Sequence, residues 1–226
     1  MSAEGYTPSA KNKTYHSLDS FVYDYINSAG MKDNIKIEIN YSMRSHVLPT
    51  QRTILQSDIL AGSFEVNTLS PIEIYASKTV ALMTRAAARD LYDLNYMIRY
   101  ELFDENELEL YRKCVIFYLA VATVTPPLKI GFSAVDTITP HKITTDLKPV
   151  IRDFDAFSLE KAKTDVQNFL RDNLFINETE MAFLKQFKAG YYRPELLFED
   201  NEILTNISVH PMAKWKTDKN LSRDAR

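Results

Sequence analysis

The chain has 226 residues, of which 45% are hydrophobic and 25% charged, with a formal net charge of -3 at pH 7. That length supplies core material for one large domain or two small ones, in the proportions of an ordinary globular protein. The slight acidity excludes a chain coated in basic residues for non-specific nucleic-acid binding, while leaving room for a local basic column.

In chain order, Met1 to Ser17 is polar, and Leu18 to Ile26 is rich in β-branched and aromatic residues, the composition of a strand. After an Asn27-Ser28-Ala29-Gly30 loop, NIKIEINYSMR from Asn34 to Arg44 alternates cleanly, and the short loop predicts an antiparallel hairpin. Ile35, Ile37, Ile39, Tyr41 and Met43 take one face; Lys36, Glu38, Asn40, Ser42 and Arg44 take the other. Glu38 is open to two readings, a solvent-facing carboxylate or a metal ligand or general base on a sheet floor, where oxygen ligands suit Mg²⁺.

His46 to Asp58 is loop-like around Pro49, and Ser63 to Leu69 suggests a short strand. From Ser70 to Arg99 the spacing predicts one long helix. Ser70, Pro71 and Glu73 form its capping box, and Ile72, Ala76, Val80, Met83, Ala87, Leu91, Leu94 and Ile98 form its buried stripe. At roughly 100° per residue, a continuous helix places Lys78, Arg85 and Arg89 almost in line with Asp93 beside them. Such a column is either a solvated face or an anion-binding surface.

Asp104, with Glu107, opens the next helix, which contains the single cysteine, Cys114. One cysteine excludes an internal disulfide and a multi-cysteine zinc site, and its apolar neighbours mark a buried, inert thiol. Pro126-Pro127 stops this helix, and Thr125 to Pro149, irregular and proline-bearing, is the expected domain boundary. Ser158 to Asn173 and Asn177 to Lys188 read as helices, the second capped by Asn177 and Glu180, with Leu196-Leu197-Phe198 docked on it. A short helix runs from Asn201 towards Val209, Pro211 ends it, and the charged end after Trp215 frays. No apolar run approaches the ~20 residues that span a bilayer, and Met1 to Lys13 lacks a signal-peptide core, so a cytoplasmic location without membrane contact is expected.

Taken together, NIKIEINYSMR, SPIEIYASKTVALMTRAAARDLYDL and FKAGYYRPELLF resemble the AbiEii/AbiGii-type nucleotidyltransferase toxin family, over about Tyr6 to Phe198. The resemblance implies an α+β fold of the polymerase-β-like class. A small, mostly antiparallel sheet with packed helices would occupy residues 1–125, followed by a helical part at 126–226. It implies transfer of a nucleoside monophosphate from a nucleoside triphosphate to an RNA acceptor, possibly tRNA, with Mg²⁺, and a cognate antitoxin. Glu38 matches the third carboxylate of the metal site, Lys78 the lysine that holds phosphates, and Asp90 the acidic residue of the last motif. Arg85, Arg89 and Asp93 complete the nucleotide-binding set. A column of Lys78, Arg85 and Arg89 facing Glu38 would offset the charge that develops on phosphate.

The family also carries a Gly-Ser or Gly-Gly turn followed by Asp-x-Asp on a strand, and nothing in the sequence supplies that pair. Gly62-Ser63 leads only to Glu65, and Asp153-Phe154-Asp155 lacks the glycine turn. Met1 therefore resembles an internal methionine of a longer protein. The sheet is expected to lack one or two strands, and its free edge to be covered by something such as a second copy of the chain. Catalysis by the chain as it stands is not expected. The alternative to a shortened enzyme is a non-catalytic module that binds nucleotide, RNA or protein.

Overall fold

The computed structural model describes residues 4–15, 18–41, 45–55, 63–151 and 157–218, and they belong to two compact units, Met1–Ser45 and His46–Arg226. The expected positions of Ser42, Met43, Arg44, Gly62 and Asp153-Phe154-Asp155 lie outside the described residues.

The first unit is a four-stranded antiparallel sheet. Strands β1 (Thr7–Pro8) and β2 (Lys13–Thr14) both pair with one edge of β3 (Leu18–Ile26). Between them the backbone of Val22 is satisfied twice: its N–H donates to Asn12 Oδ1 (2.6 Å) and its carbonyl accepts from Ser9 N–H (2.8 Å). The other edge of β3 pairs along its length with β4 (Lys32–Asn40), from Leu18 opposite Asn40 to Ile26 opposite Lys32. This is the expected hairpin. Its turn is held by Asn27 Oδ1, which accepts from the N–H groups of Ala29 and Met31, and by Gly30, whose φ of 76° suits glycine.

The alternation places Ile35, Ile37 and Ile39 on one face with Phe21 and Tyr23, yet the three isoleucines remain 42%, 38% and 43% exposed. Val22 and Ser20, on the Glu38 face, are the buried pair of this unit among the described residues. So slender a core is far from what a free-standing sheet needs.

The second unit begins with a hairpin of β5 (Gln51–Leu55) and β6 (Phe64–Thr68), paired from Gln51 opposite Thr68 to Leu55 opposite Phe64. The loop reading of His46 to Asp58 is corrected here: QRTIL has no strong alternation, and its strand exists through pairing with β6.

The long helix is two helices, α1 (Pro71–Arg85) and α2 (Ala88–Arg99). Ala86 is left-handed (φ 49°, ψ 51°) and Ala87 extended, so the chain turns where neither glycine nor proline announces it. The buried stripe is kept on both sides, with Val80, Leu91 and Leu94 in the core, but the break shifts its phase. Leu82 and Ala88 are buried, whereas Met83 and Ala87 are half-buried. The helix α2 ends in a Schellman motif, with Leu102 N–H bonded to Met97 O and Glu101 N–H to Ile98 O, and Glu101 takes the left-handed position at φ 46°.

The cap at Ser70 is also corrected. Pro71 opens α1, but the Ser70 side chain caps nothing, and Glu73 does not reach back to it. The Glu73 carboxylate is fully buried and accepts from Val47 N–H (2.7 Å), Leu48 N–H (2.9 Å) and the Tyr118 hydroxyl. Three donors in a buried site outweigh the one backbone N–H of Ser70. Val47 is tied on its other side too, its carbonyl accepting from Asn206 Nδ2 at 3.4 Å.

Helix α3 (Glu105–Ala122) has the expected Asp104–Glu107 capping box, and every residue from Cys114 to Val121 is buried, which marks it as the central helix. Thr79 Oγ1 meets Tyr111 Oη at 2.5 Å and fixes α3 against α1. Burial pushes the Cys114 thiol pKa well up, as expected of an inert core cysteine. A single helical turn, α4 (Pro140–Lys142), runs into a π turn at Ile143–Leu147.

The helix α5 (Leu159–Asn173) packs on α2, and α6 (Glu178–Lys188) has the expected Asn177–Glu180 capping box. Glu180 does more than cap: it also accepts from Arg112 Nε at 2.9 Å, a buried ion pair joining α3 to α6. Leu197 and Phe198 are buried, Phe198 against Phe117.

The last two helices are α7 (Asn201–Ser208), capped by Asp200, and α8 (Pro211–Thr217). As expected, α7 stops ahead of Pro211, but Pro211 also opens a further helix, because the N–H it lacks would have no intrahelical partner at the first helical position. His210 precedes it, wholly buried edge-on to Phe117 (5.3 Å), with Nδ1 accepting from Ala213 N–H. Lys216 then donates to the carbonyls of Ala120 (3.3 Å) and Thr123 at the C-terminal end of α3, where the helix dipole favours a cation, and burial lowers its pKa to about 8. No described helix is long and apolar enough to cross a membrane.

Glu73→Ala is expected to cost about 3 kcal/mol in urea denaturation, because it orphans two buried N–H groups and a phenol. A second expectation concerns acid. Burial lowers the His210 pKa from 6.5 to about 4, so the unfolded chain binds the additional proton between those values. Its contribution is complete above about pH 6.5 and is lost as pH falls towards 4, by up to about 3 kcal/mol. Urea midpoints of the His210→Asn chain, which retains a capping side chain, should show a shallower fall over this range than those of the wild type.

Candidate functional site

The break at Ala86-Ala87 decides the geometry of the candidate residues. On one continuous helix Lys78 and Asp93 would stand about 22 Å apart, at 1.5 Å per residue. With α2 folded against α1, Lys78 Nζ lies 2.5 Å from Asp93 Oδ2, both side chains about one-third exposed. Tyr75 lies one turn before Lys78. Its pKa is raised by burial, by the Asp93 charge and by Tyr96, which places all four groups in one polar cluster between the two helices.

Arg85 and Asp90 are five residues apart, a spacing that does not meet on a straight helix. Across the break they form a two-pronged pair, Nε to Oδ2 and Nη2 to Oδ1, both at 2.8 Å. Asp90 is 3% exposed and sits in the first turn of α2, where the dipole also favours a carboxylate, while Arg85 remains 65% exposed. The hydrogen bond to Asp90 is the main cause of the upward shift in the Arg85 pKa.

Arg89 reaches the other way, its Nε donating to Asp146 O at 3.0 Å. Lys142 Nζ donates to Ala86 O at 3.3 Å, so the segment bearing α4 and the π turn is stitched over the helix junction by two cation-to-carbonyl bonds. Lys142 and Asp146 were outside the sequence expectations, and Glu73 was expected only as a cap. The one local signal was the Arg85–Asp90 spacing, which makes sense only if the helix bends.

The expected straight column of Lys78, Arg85 and Arg89 is therefore replaced by three separately anchored cations. Lys78 is the one held by a single partly exposed carboxylate. Glu38 belongs to the first unit, opposite Ser20 on β3. Its half-exposed carboxylate pairs with Lys36 Nζ at 2.7 Å.

For a divalent cation the donor set does not fit. Glu38, Asp90 and Asp93 each lie against a protein cation, and among the described residues no three of His, Cys, Asp or Glu gather as a ligand set.

Removing Asp90 releases the fork across the helix junction. Asp90→Ala should lower stability by about 1–2 kcal/mol in urea denaturation, while Arg89→Ala, on an exposed surface, should change it by less than about 0.5 kcal/mol.

Residues 5–189 match a family model described as nucleotidyl transferase AbiEii toxin, type IV TA system. No curated protein and no solved structure matches the chain.

Proposed function

The chain belongs to the AbiEii nucleotidyltransferase toxin family of type IV toxin–antitoxin systems, and from that membership we propose that its chemistry is the transfer of a nucleoside monophosphate from a nucleoside triphosphate to an RNA acceptor, tRNA-like and cytoplasmic. In such a transfer an acceptor hydroxyl attacks the α-phosphorus. A new P–O bond forms, the bond to the bridging oxygen breaks, pyrophosphate leaves, and the hydroxyl proton passes to solvent. Family membership implies an antitoxin as the counterpart of the chain.

The observation that carries the reading is the Lys78–Asp93 pair. A lysine held by a single, partly exposed carboxylate is kept extended and can exchange that carboxylate for phosphate oxygens, whereas Arg85 is locked to a buried aspartate. Lys78 is thus assigned to the triphosphate, with Asp93 as the group displaced. Bound Mg²⁺ would supply charge neutralisation on the phosphates, but Glu38, Asp90 and Asp93 are each paired with a protein cation.

The same neutralised carboxylates favour a second reading, in which the 226 residues alone bind nucleotide, RNA or protein without transferring anything. Glu38, the candidate third metal carboxylate, then acts only when the missing aspartate pair is supplied.

Titration calorimetry with the four nucleoside triphosphates, with and without Mg²⁺, tests both. Lys78→Ala is expected to weaken binding at least about tenfold, since a charge-assisted contact is worth roughly 1.5–3 kcal/mol, while Asp93→Asn should hold or improve it. Unchanged affinity of Lys78→Ala removes Lys78 from the site. In a radiolabel assay the purified chain should show no transfer onto RNA; robust transfer abolished by Glu38→Ala would overturn the inactive reading.

A further inference from the structure

Strand β4 hydrogen-bonds only to β3 among the described strands, and all nine of its residues, Lys32 to Asn40, are exposed. It contains no proline. A long, regular strand with one neighbour among the described strands is a template for another strand, and proteins that avoid such pairing blunt the edge with a bulge, a proline or unmatched charge. The charge on β4 does not blunt it. The central run Asn34-Ile35-Lys36-Ile37-Glu38-Ile39-Asn40 reads the same in both directions except that lysine and glutamate exchange places.

We propose that β4 is a homodimerisation edge, pairing antiparallel with β4 of a second copy about a two-fold axis at Ile37, so that two four-stranded sheets become one.

In this register Asn34 stands opposite Asn40 of the second copy, Ile35 opposite Ile39, and Ile37 opposite itself. Lys36 stands opposite Glu38, and Glu38 opposite Lys36. Directly opposed residues of an antiparallel pair share a face, so isoleucines meet isoleucines on one side and opposite charges meet on the other. Lys36 and Glu38 are already 2.7 Å apart within each chain, so the axis generates a square of four alternating charges.

The neighbouring registers are rejected by the same residues. Shifting the axis by one residue to Lys36 or Glu38 opposes lysine to lysine or glutamate to glutamate. A half-step shift sets isoleucine against charge, and parallel pairing sets Lys36 beside Lys36. The self-matching charge is what names the partner as a second copy. An isologous contact of this kind closes at two and does not propagate.

Light scattering after size exclusion, over a range of chain concentrations, reads the result. The wild type should run at twice the monomer mass. Glu38→Lys and Lys36→Glu should each raise the dissociation constant at least about tenfold, since each opposes like charges across the axis. Their equimolar mixture should form heterodimers, because all-lysine then faces all-glutamate. The chain with both Lys36→Glu and Glu38→Lys should dimerise with itself and not with the wild type. Both positions are exposed, and unchanged circular dichroism and melting would show that the variants fold. A monomeric wild type at every concentration means that this edge serves some other strand and overturns the proposal, as do single variants that dimerise as tightly as the wild type. A mixture that fails to pair overturns the register.

Discussion

The buried Glu73 carboxylate organises the helical unit from the first turn of α1. It takes two backbone N–H groups from Val47 and Leu48 and a hydroxyl from Tyr118, so a loop, the first helix and the central helix are fixed by one side chain. The carbonyl of Val47 then extends the tie to α7 through Asn206. A carboxylate in so dry a place is tolerated only because every donor it meets is otherwise unpaired, and the donors are tolerated for the same reason. Arg112–Glu180 repeats the arrangement between α3 and α6, where one carboxylate both caps α6 and accepts from the central helix. The core is therefore packed around α3 and aligned by two buried acids, each with more than one task.

The candidate site depends on a second constraint, the turn at Ala86-Ala87. Without it Lys78 and Asp93 are four turns apart and Arg85 cannot grip Asp90. With it, α1 and α2 become two walls with a polar cluster between them. The left-handed Ala86 is an unfavourable conformation for a residue with a Cβ, and the surroundings hold it: the Arg85–Asp90 fork spans it, and Lys142 bonds its carbonyl. The irregular segment after α3 thereby acquires a role, as a strap over the junction that positions the lysine assigned to phosphate.

What could be read in the sequence was what is determined locally. The β3–β4 hairpin follows from alternation and an Asn-to-Gly turn, and the capping boxes at Asp104 and Asn177 follow from residues three apart. The family resemblance rests on the same local strings. Features determined by distant partners were not legible. Glu73 has the spacing of a cap, but Val47, Leu48 and Tyr118 claim it. The helix break has no glycine or proline, and QRTIL becomes a strand only beside FEVNT. The helix from Asn201 stops ahead of Pro211 as expected, but α8 was not legible, because proline ends a helix from within yet begins one at its first position. The stripe from Ile72 to Ile98 survived the break in its main members, since a buried face tolerates a change of phase when alanines lie at the bend.

The sequence holds one cysteine and one tryptophan, and the fold separates them in a useful way. Cys114 lies at the centre of α3 with no exposed surface and a thiol that burial keeps protonated, so a thiol reagent reaches it only when the helical core opens. Trp215, 40% exposed on α8, sits beside the lysine that clasps the end of α3, and its fluorescence follows the docking of the last helix. The native chain thus carries two optical and chemical reporters without any added label. The interval between their responses separates release of the final helix from loss of the core.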